Sequence, residues 1–211
     1  MGGPIHSAAM APTPPRLTDS TTSWGAVTRW LHWGTTGVVG MSVLLGLWLA
    51  RQAPEYGQTP TWLGAAAHHT LGFLVLVATM VRGNWRINNE RPDHPAAMGP
   101  SRRRLASVVQ GSLYVLLVVM PLSGWAALTT TPVPTPLYFF GWQIPRMFED
   151  PPSNPLVHDV FAWAHWACFP LLALIVGGHV VGALISQFID GDEAITRMWR
   201  GHRVQAEPPR D

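Results

Sequence analysis

Four stretches of this chain are apolar for long enough to cross a bilayer as helices, and they are separated by segments in which charge and proline collect. In the first, Ala26 to Ala50 (AVTRWLHWGTTGVVGMSVLLGLWLA), one Arg and one His near the start are followed by 18 uncharged residues, and a spanning helix needs about 20 predominantly apolar ones. The other three run over about 62–81, 105–129 and 157–188. Pro121 falls inside the third, where a kink is tolerable because neighbouring helices can satisfy the freed carbonyl. The pattern predicts an all-α membrane protein whose domain, residues 25–201, is a four-transmembrane-helix antiparallel bundle. Residues 1–24 are rich in Pro, Ser and Thr and are expected to be a disordered tail, with residues 202–211 a second tail. The first of these has neither the apolar core of a cleaved signal peptide nor the Ser or Thr at position six that a myristoylation site wants.

Arginine placement predicts the orientation. Arg16 and Arg29 precede or open the first span; Arg82, Arg86, Arg91, Arg102, Arg103 and Arg104 lie between the second and third; Arg197, Arg200, Arg203 and Arg210 follow the fourth. The remaining two connections carry only Arg51 and Arg146, beside Glu55, Glu149, Asp150 and Asp159. Twelve arginines against two is a positive-inside bias, so both termini are expected in the cytoplasm.

With depths assigned, the histidines sort into layers. An ionisable side chain within a span is costly enough to be a functional hypothesis by default. His165 and His179 lie fourteen residues apart on the fourth span. Fourteen residues return a helix to within about 40° of its starting face and advance it about 21 Å, so one helix offers two imidazoles on nearly one face at two depths. His32, near the cytoplasmic start of the first span, shares the depth of His179. His68 and His69, near the outer start of the second, share that of His165. Two imidazole pairs stacked across a four-helix bundle are what two bis-histidine b haems require.

Only one of His68 and His69 faces a given layer, because adjacent helical residues differ by about 100°. Ala65 and Gly72 make a small-residue line through His68 along which a flat macrocycle can lie. Gly37 and Gly40 after His32, and Gly178 and Gly182 around His179, have the same character, or simply allow close helix packing. His158 reads as a surface residue at the outer edge.

Composition narrows the classes. The chain has 211 residues, 47% hydrophobic and 12% charged, too apolar for an ordinary soluble domain. Every basic residue is Arg. The net charge of +2 gives nucleic-acid binding no electrostatic support. The single Cys168 excludes an internal disulfide framework, a four-Cys cluster and the C-x-x-C-H attachment of c-type haem. Within the spans the only carboxylate is Asp159, at an edge, which argues against a transporter; a non-redox membrane protein with hydrogen-bonding histidines remains the alternative and predicts a colourless preparation. No dinucleotide fingerprint, phosphate loop or hydrolytic triad is visible.

At this point the residues carry a resemblance. RWLHW (Arg29–Trp33), HHTLG (His68–Gly72) followed by VRGNWR, LYVLLVVMPLSGW (Leu113–Trp125), YFFGWQIP (Tyr138–Pro145) and the His165/His179 pair ending in FIDGDEAITRMW follow one another as in the bacterial cytochrome b561 family, four-helix di-haem inner-membrane proteins related to the cytochrome b subunit of nickel-iron hydrogenases. The chain resembles them from about Trp24 to Gly201. The resemblance implies axial iron ligation by His32 with His179 for the cytoplasmic-side haem and by His68 with His165 for the outer one, and it selects His68 over His69. Many relatives have His where this chain has Gln110, and one or two His where it has Ser186 and Gln187, which bears on the surroundings of the cytoplasmic-side haem or a nearby quinone site.

The implied activity is transmembrane electron transfer between an outer-face donor or acceptor and the quinone pool of the respiratory chain. Two versions follow from the resemblance: a superoxide oxidase reducing ubiquinone, or a membrane anchor subunit serving a periplasmic redox protein such as a hydrogenase. The Pro-rich connection Thr130 to Leu156 is long enough for a docking surface or a rigid lid. Its Glu149 and Asp150 against one Arg weaken electrostatic steering of an anion such as superoxide.

Overall fold

In the computed structural model, which describes residues 16–56, 62–93, 98–131, 136–148 and 155–201, the long apolar stretches are helices: α1 (Ala26–Tyr56), α2 (Trp62–Asn88), α3 (Pro100–Thr129) and α4 (Pro155–Phe188). Between α3 and α4 lies a two-stranded hairpin, β1 (Leu137–Phe139) and β2 (Trp142–Ile144), and a short α5 (Ala194–Arg200) closes the described chain. All four long helices are apolar enough to cross a bilayer, and their outward faces show why: Leu44, Val77, Val115 and Leu174 point away from the rest of the protein. In water such faces would be costly; in lipid they need no cover.

Helices α1 and α2, α2 and α3, and α3 and α4 pack against one another. Residue pairings show the antiparallel sense. The His68 imidazole, early in α2, meets the carbonyl of Ser42, late in α1, while Arg82, late in α2, meets His32, early in α1. The bundle therefore has a termini end, where α1 begins and α4 ends, and a hairpin end. Among the described residues the buried apolar ones are Val75, Ala126, Leu137, Cys168 and Leu172.

The helices run past the expected limits, α2 through Arg82 and Arg86 to Asn88 and α3 from Pro100 rather than 105, because a polar or charged turn extends a helix as readily as an apolar one while only the apolar part must stay in lipid. Prolines 121 and 170 lie inside α3 and α4. The tail expected over 1–24 divides. Residues 1–15 lie outside the described residues, as do 202–211 and the acidic pair Glu149 and Asp150. Residues 16–24 fold back over the start of α1: Asp19 accepts from the Gly25 amide at 2.6 Å and the Thr28 hydroxyl at 2.7 Å, and the Ala26 and Val27 amides donate to the Arg16 and Leu17 carbonyls. The carboxylate and the two carbonyls take amides that a helix start leaves without partners. Gly25 is required, since a Cβ there would lie 2.4 Å from the Leu17 carbonyl oxygen.

The hairpin turns at Phe140 and Gly141, both with positive φ (47° and 84°), the pair a two-residue turn of this hand demands. Its register sets Leu137 opposite Ile144 and Phe139 opposite Trp142, and Phe139 stacks edge-on against Phe73 of α2 at 5.2 Å. The connection is thus partly built structure laid on α2. At the other end, α5 crosses the mouth of the bundle. The Gln187 side-chain oxygen accepts from the Ile195 and Thr196 amides, Trp33 donates to the Met198 carbonyl, and Arg29 donates to that of Trp199.

Candidate functional site: two opposed histidine pairs

The structure brings the sequence-predicted histidines together at two levels. At the termini end the rings of His32 (α1) and His179 (α4) have their centroids 6.2 Å apart. At the hairpin end His68 (α2) and His165 (α4) are also 6.2 Å apart. The ring that meets His165 is that of His68; His69 lies beside His68, centroids 6.4 Å apart, turned off the axis of the pair as the 100° step requires. His158 ties α4 to the end of α3, its Nδ1 3.0 Å from the Ala127 carbonyl.

The hairpin-end pair is held by a device repeated on two helices. His68 Nδ1–H donates to the Ser42 carbonyl at 3.1 Å, and His165 Nδ1–H donates to the Met120 carbonyl at 2.8 Å. Four residues beyond each acceptor stands a glycine. A Cβ on Gly46 would lie 2.9 Å from His68 Cε1, and one on Gly124 2.9 Å from His165 Nδ1. Each ring therefore sits in a notch that any other residue would fill, close enough to share a carbonyl already serving its own helix. A proton on Nδ1 leaves Nε2 as the lone-pair nitrogen, the state in which a neutral imidazole binds a metal. These two glycines and two carbonyls were not visible as a site in the sequence. The signal, glycine four residues after the acceptor on the helix facing each histidine, is readable only once the pairing of helices is known.

The termini-end pair has different surroundings. Arg82 donates to His32 Nδ1 at 2.9 Å and lies over the Tyr114 ring, 5.7 Å from its centroid; Arg86, one turn on, lies 5.8 Å from the same centroid. Arg86 also donates to Gln110 at 3.0 Å. Gln110 holds Arg86, Gln187 caps α5, and the Ser186 carbonyl accepts from the Asp192 amide at 2.9 Å.

These residues fit a haem. A metal–imidazole bond of about 2 Å, extended by about 1 Å to the ring centre, separates two axial rings by about 6 Å, the spacing both pairs show. The indole N–H of Trp125, beside Gly124, is buried with no partner among the described residues, a donor that a bound acidic group would satisfy. A haem would need only two imidazole nitrogens from the protein, and each pair would supply them.

Apolar helices with opposed imidazoles at two levels describe the class of membrane-embedded b-type cytochromes. Comparison with known proteins narrows this. Residues 23–201 match the family model for prokaryotic cytochrome b561, and the chain belongs to that family. It is 26% identical over 186 residues to cytochrome b561 homolog 2 of Escherichia coli K12, covering 86% of this chain and 94% of the relative. It is 28% identical over 172 residues to cytochrome b562 of Cereibacter sphaeroides, covering 81% and 90%. The protein is therefore a prokaryotic multi-pass membrane cytochrome that binds haem b and transfers electrons.

Proposed function

We propose that the protein binds two non-covalent b haems, one between His32 and His179 and one between His68 and His165, and passes electrons across the bacterial inner membrane between an outer-face partner and the quinone pool. The observation that carries this reading is the pair of 6.2 Å ring separations at two levels of one bundle. The arginine distribution supports cytoplasmic termini, which sets the His32/His179 level toward the cytoplasm and the hairpin toward the periplasm.

When bound, the haems supply one-electron exchange at iron. The chain does the rest. His68 and His165 are held in one tautomer and one orientation by the Ser42 and Met120 carbonyls, so little rearrangement accompanies a change of charge between them. The hairpin packs Phe139 on Phe73, which in turn stacks on Trp125 at 5.9 Å, and this aromatic cover restricts water at the outer level. At the inner level α5, held by Trp33 and Arg29, covers the bundle mouth. Arg82 and Arg86 supply positive charge where a quinone head group would be met.

The test is a dithionite-reduced minus oxidised spectrum with a pyridine haemochrome count on detergent-purified wild type, His68→Ala and His69→Ala. Two b haems per chain are expected, one lost in His68→Ala and none in His69→Ala. A colourless protein from haem-replete cells refutes the reading.

A further inference from the structure

Two guanidinium groups stand in the termini-end layer with no carboxylate of the described residues against them. The side-chain partners of Arg82 and Arg86 are His32 Nδ1, Gln110 Oε1 and the Tyr114 hydroxyl, all neutral groups, and among the described residues no carboxylate pairs with either. The four spans hold a single acidic residue, Asp159, at the opposite end of the bundle. Arg82 touches His32, whose ring lies 6.2 Å from that of His179, and a guanidinium keeps its charge at every accessible pH.

The hairpin-end layer is the reverse case. The partners of its two histidines are backbone carbonyls. Of the arginines at that end, Arg51 is exposed and Arg146 directs its Nη2 to the Thr129 and Thr131 carbonyls.

The two environments act on an iron centre in opposite senses. An imidazole that donates its Nδ1–H to a carbonyl becomes a more basic ligand, which favours ferric iron. A fixed positive charge in a low-dielectric interior favours the state that carries the extra electron. His32 sharpens the contrast. An imidazole that gives Nε2 to iron keeps its proton on Nδ1 and cannot accept from Arg82, so in the loaded protein Arg82 would be available to an acidic group such as a haem propionate. The charge stays in the layer, and without it that acid would be uncompensated.

We propose that Arg82, backed by Arg86, makes the iron held by His32 and His179 the stronger electron acceptor of the two, so that the step from the hairpin end to the termini end is downhill. In each transfer one electron leaves the hairpin-end iron, which goes from ferrous to ferric, and reduces the termini-end iron from ferric to ferrous; no bond to protein is made or broken. The reductant is a one-electron donor at the hairpin end, and two transfers with two protons reduce one quinone to quinol. The inference rests on the di-haem reading above.

The experiment is a spectropotentiometric titration of the purified holo-protein in wild type, Arg82→Gln, Arg82→Lys and Arg86→Gln, with haem counted in each sample. Waves are assigned with His165→Ala and His179→Ala. Should those variants lose both haems, Gly124→Ala makes the assignment, since the nearest atoms its Cβ meets are those of the His165 ring. The higher-potential wave is expected to belong to His32 and His179. Arg82→Gln is expected to lower it by a factor of ten or more in electron distribution, about 59 mV for one electron, with Arg82→Lys keeping most of the difference and the other wave unmoved. A higher wave belonging to His68 and His165, or a termini-end wave that stays put in Arg82→Gln, overturns the proposal. A wild type with one haem or none overturns the di-haem reading instead, and the haem count tells the two failures apart.

Discussion

Replacing Gly124 by alanine probes the hairpin-end level at the cost of one methyl group. A Cβ built there lies 2.9 Å from His165 Nδ1 and 3.0 Å from its Cε1, against an unstrained carbon contact of about 3.5 Å or more. The obstacle is a ring tied to the Met120 carbonyl, not the free end of a flexible side chain, so the ring must retreat by about 0.5 Å. That stretches its 2.8 Å hydrogen bond beyond good geometry. The loss of such a bond costs about 0.5–1.5 kcal/mol, and disturbing a group that orients a metal ligand lowers affinity by about 10- to 100-fold. Titration of haem into haem-depleted protein, read by the reduced-minus-oxidised spectrum, is expected to show one site weakened by that factor and the other unchanged. Gly46→Ala is expected to behave alike through His68, because its Cβ lies 2.9 Å from His68 Cε1. Gly111→Ala, with nothing within 4 Å, is the control and should bind haem as wild type does. Two sites of wild-type affinity in Gly124→Ala, with both spectral components unshifted, would refute the notch as the device that seats His165.

Other expectations test the frame around the site. Asp19→Ala removes the acceptor of the Gly25 amide and the Thr28 hydroxyl and should destabilise by about 1 kcal/mol, as loss of a helix-start acceptor does; an unchanged thermal midpoint in detergent would contradict it. The Asp190 carboxyl, just beyond α4, is held below the ordinary carboxylate range by its hydrogen bond from Arg102 and the guanidinium charge. A lowered folded value means that this contribution is complete above the unfolded carboxylate value and disappears as pH falls through the folded one. Thermal midpoints of wild type and Asp190→Asn should therefore differ at pH 7 and converge toward pH 3, and a gap that widens on acidification would reverse the argument. Gln187→Ala leaves the Ile195 and Thr196 amides without their acceptor, so limited proteolysis around α5 should become faster while the haem count stays at the wild-type value.

Much of this was legible because membrane helices follow two strong rules. Apolar length marks the spans, and the 3.6-residue period tells which histidines share a face; fourteen residues between His165 and His179 are enough to give both levels. The hairpin was not legible, because its strands are three residues long and lie in a stretch where proline dominates the reading. The folded segment 16–24 was missed for a related reason. Its serines and threonines look like a solvated tail, and only the position of Asp19 against the start of α1 turns them into a cap. Gly46 and Gly124 stayed invisible because a glycine that matters to a side chain on another helix leaves no mark in its own. The glycines nearest the histidines in sequence behave differently: Gly37, Gly40, Gly178 and Gly182 are exposed and have nothing within 4 Å of a built Cβ.

The same helix pairing that makes the levels alike in spacing makes them unlike in chemistry. α4 supplies one ring to each level, so the difference must come from the helices it faces. At the hairpin end α1 and α3 present a notch and a carbonyl each, and the histidines are bound by neutral backbone. At the termini end α2 presents Arg82 and Arg86 on successive turns, braced on Tyr114. Those arginines belong to the uneven arginine distribution of the sequence, and Arg82 reaches inward far enough to touch His32. If the proposal above holds, topology and redox asymmetry share a cause: the end rich in arginine is the end at which an extra electron is better stabilised. Moving Arg82 out of that layer while keeping the total arginine number, as in Arg82→Gln combined with Asn89→Arg, should leave orientation in the membrane intact and remove the potential difference. Reporter fusions at the C-terminus together with potentiometry would separate the two effects, and a difference that persists in the double variant would show that the asymmetry lies elsewhere than in Arg82.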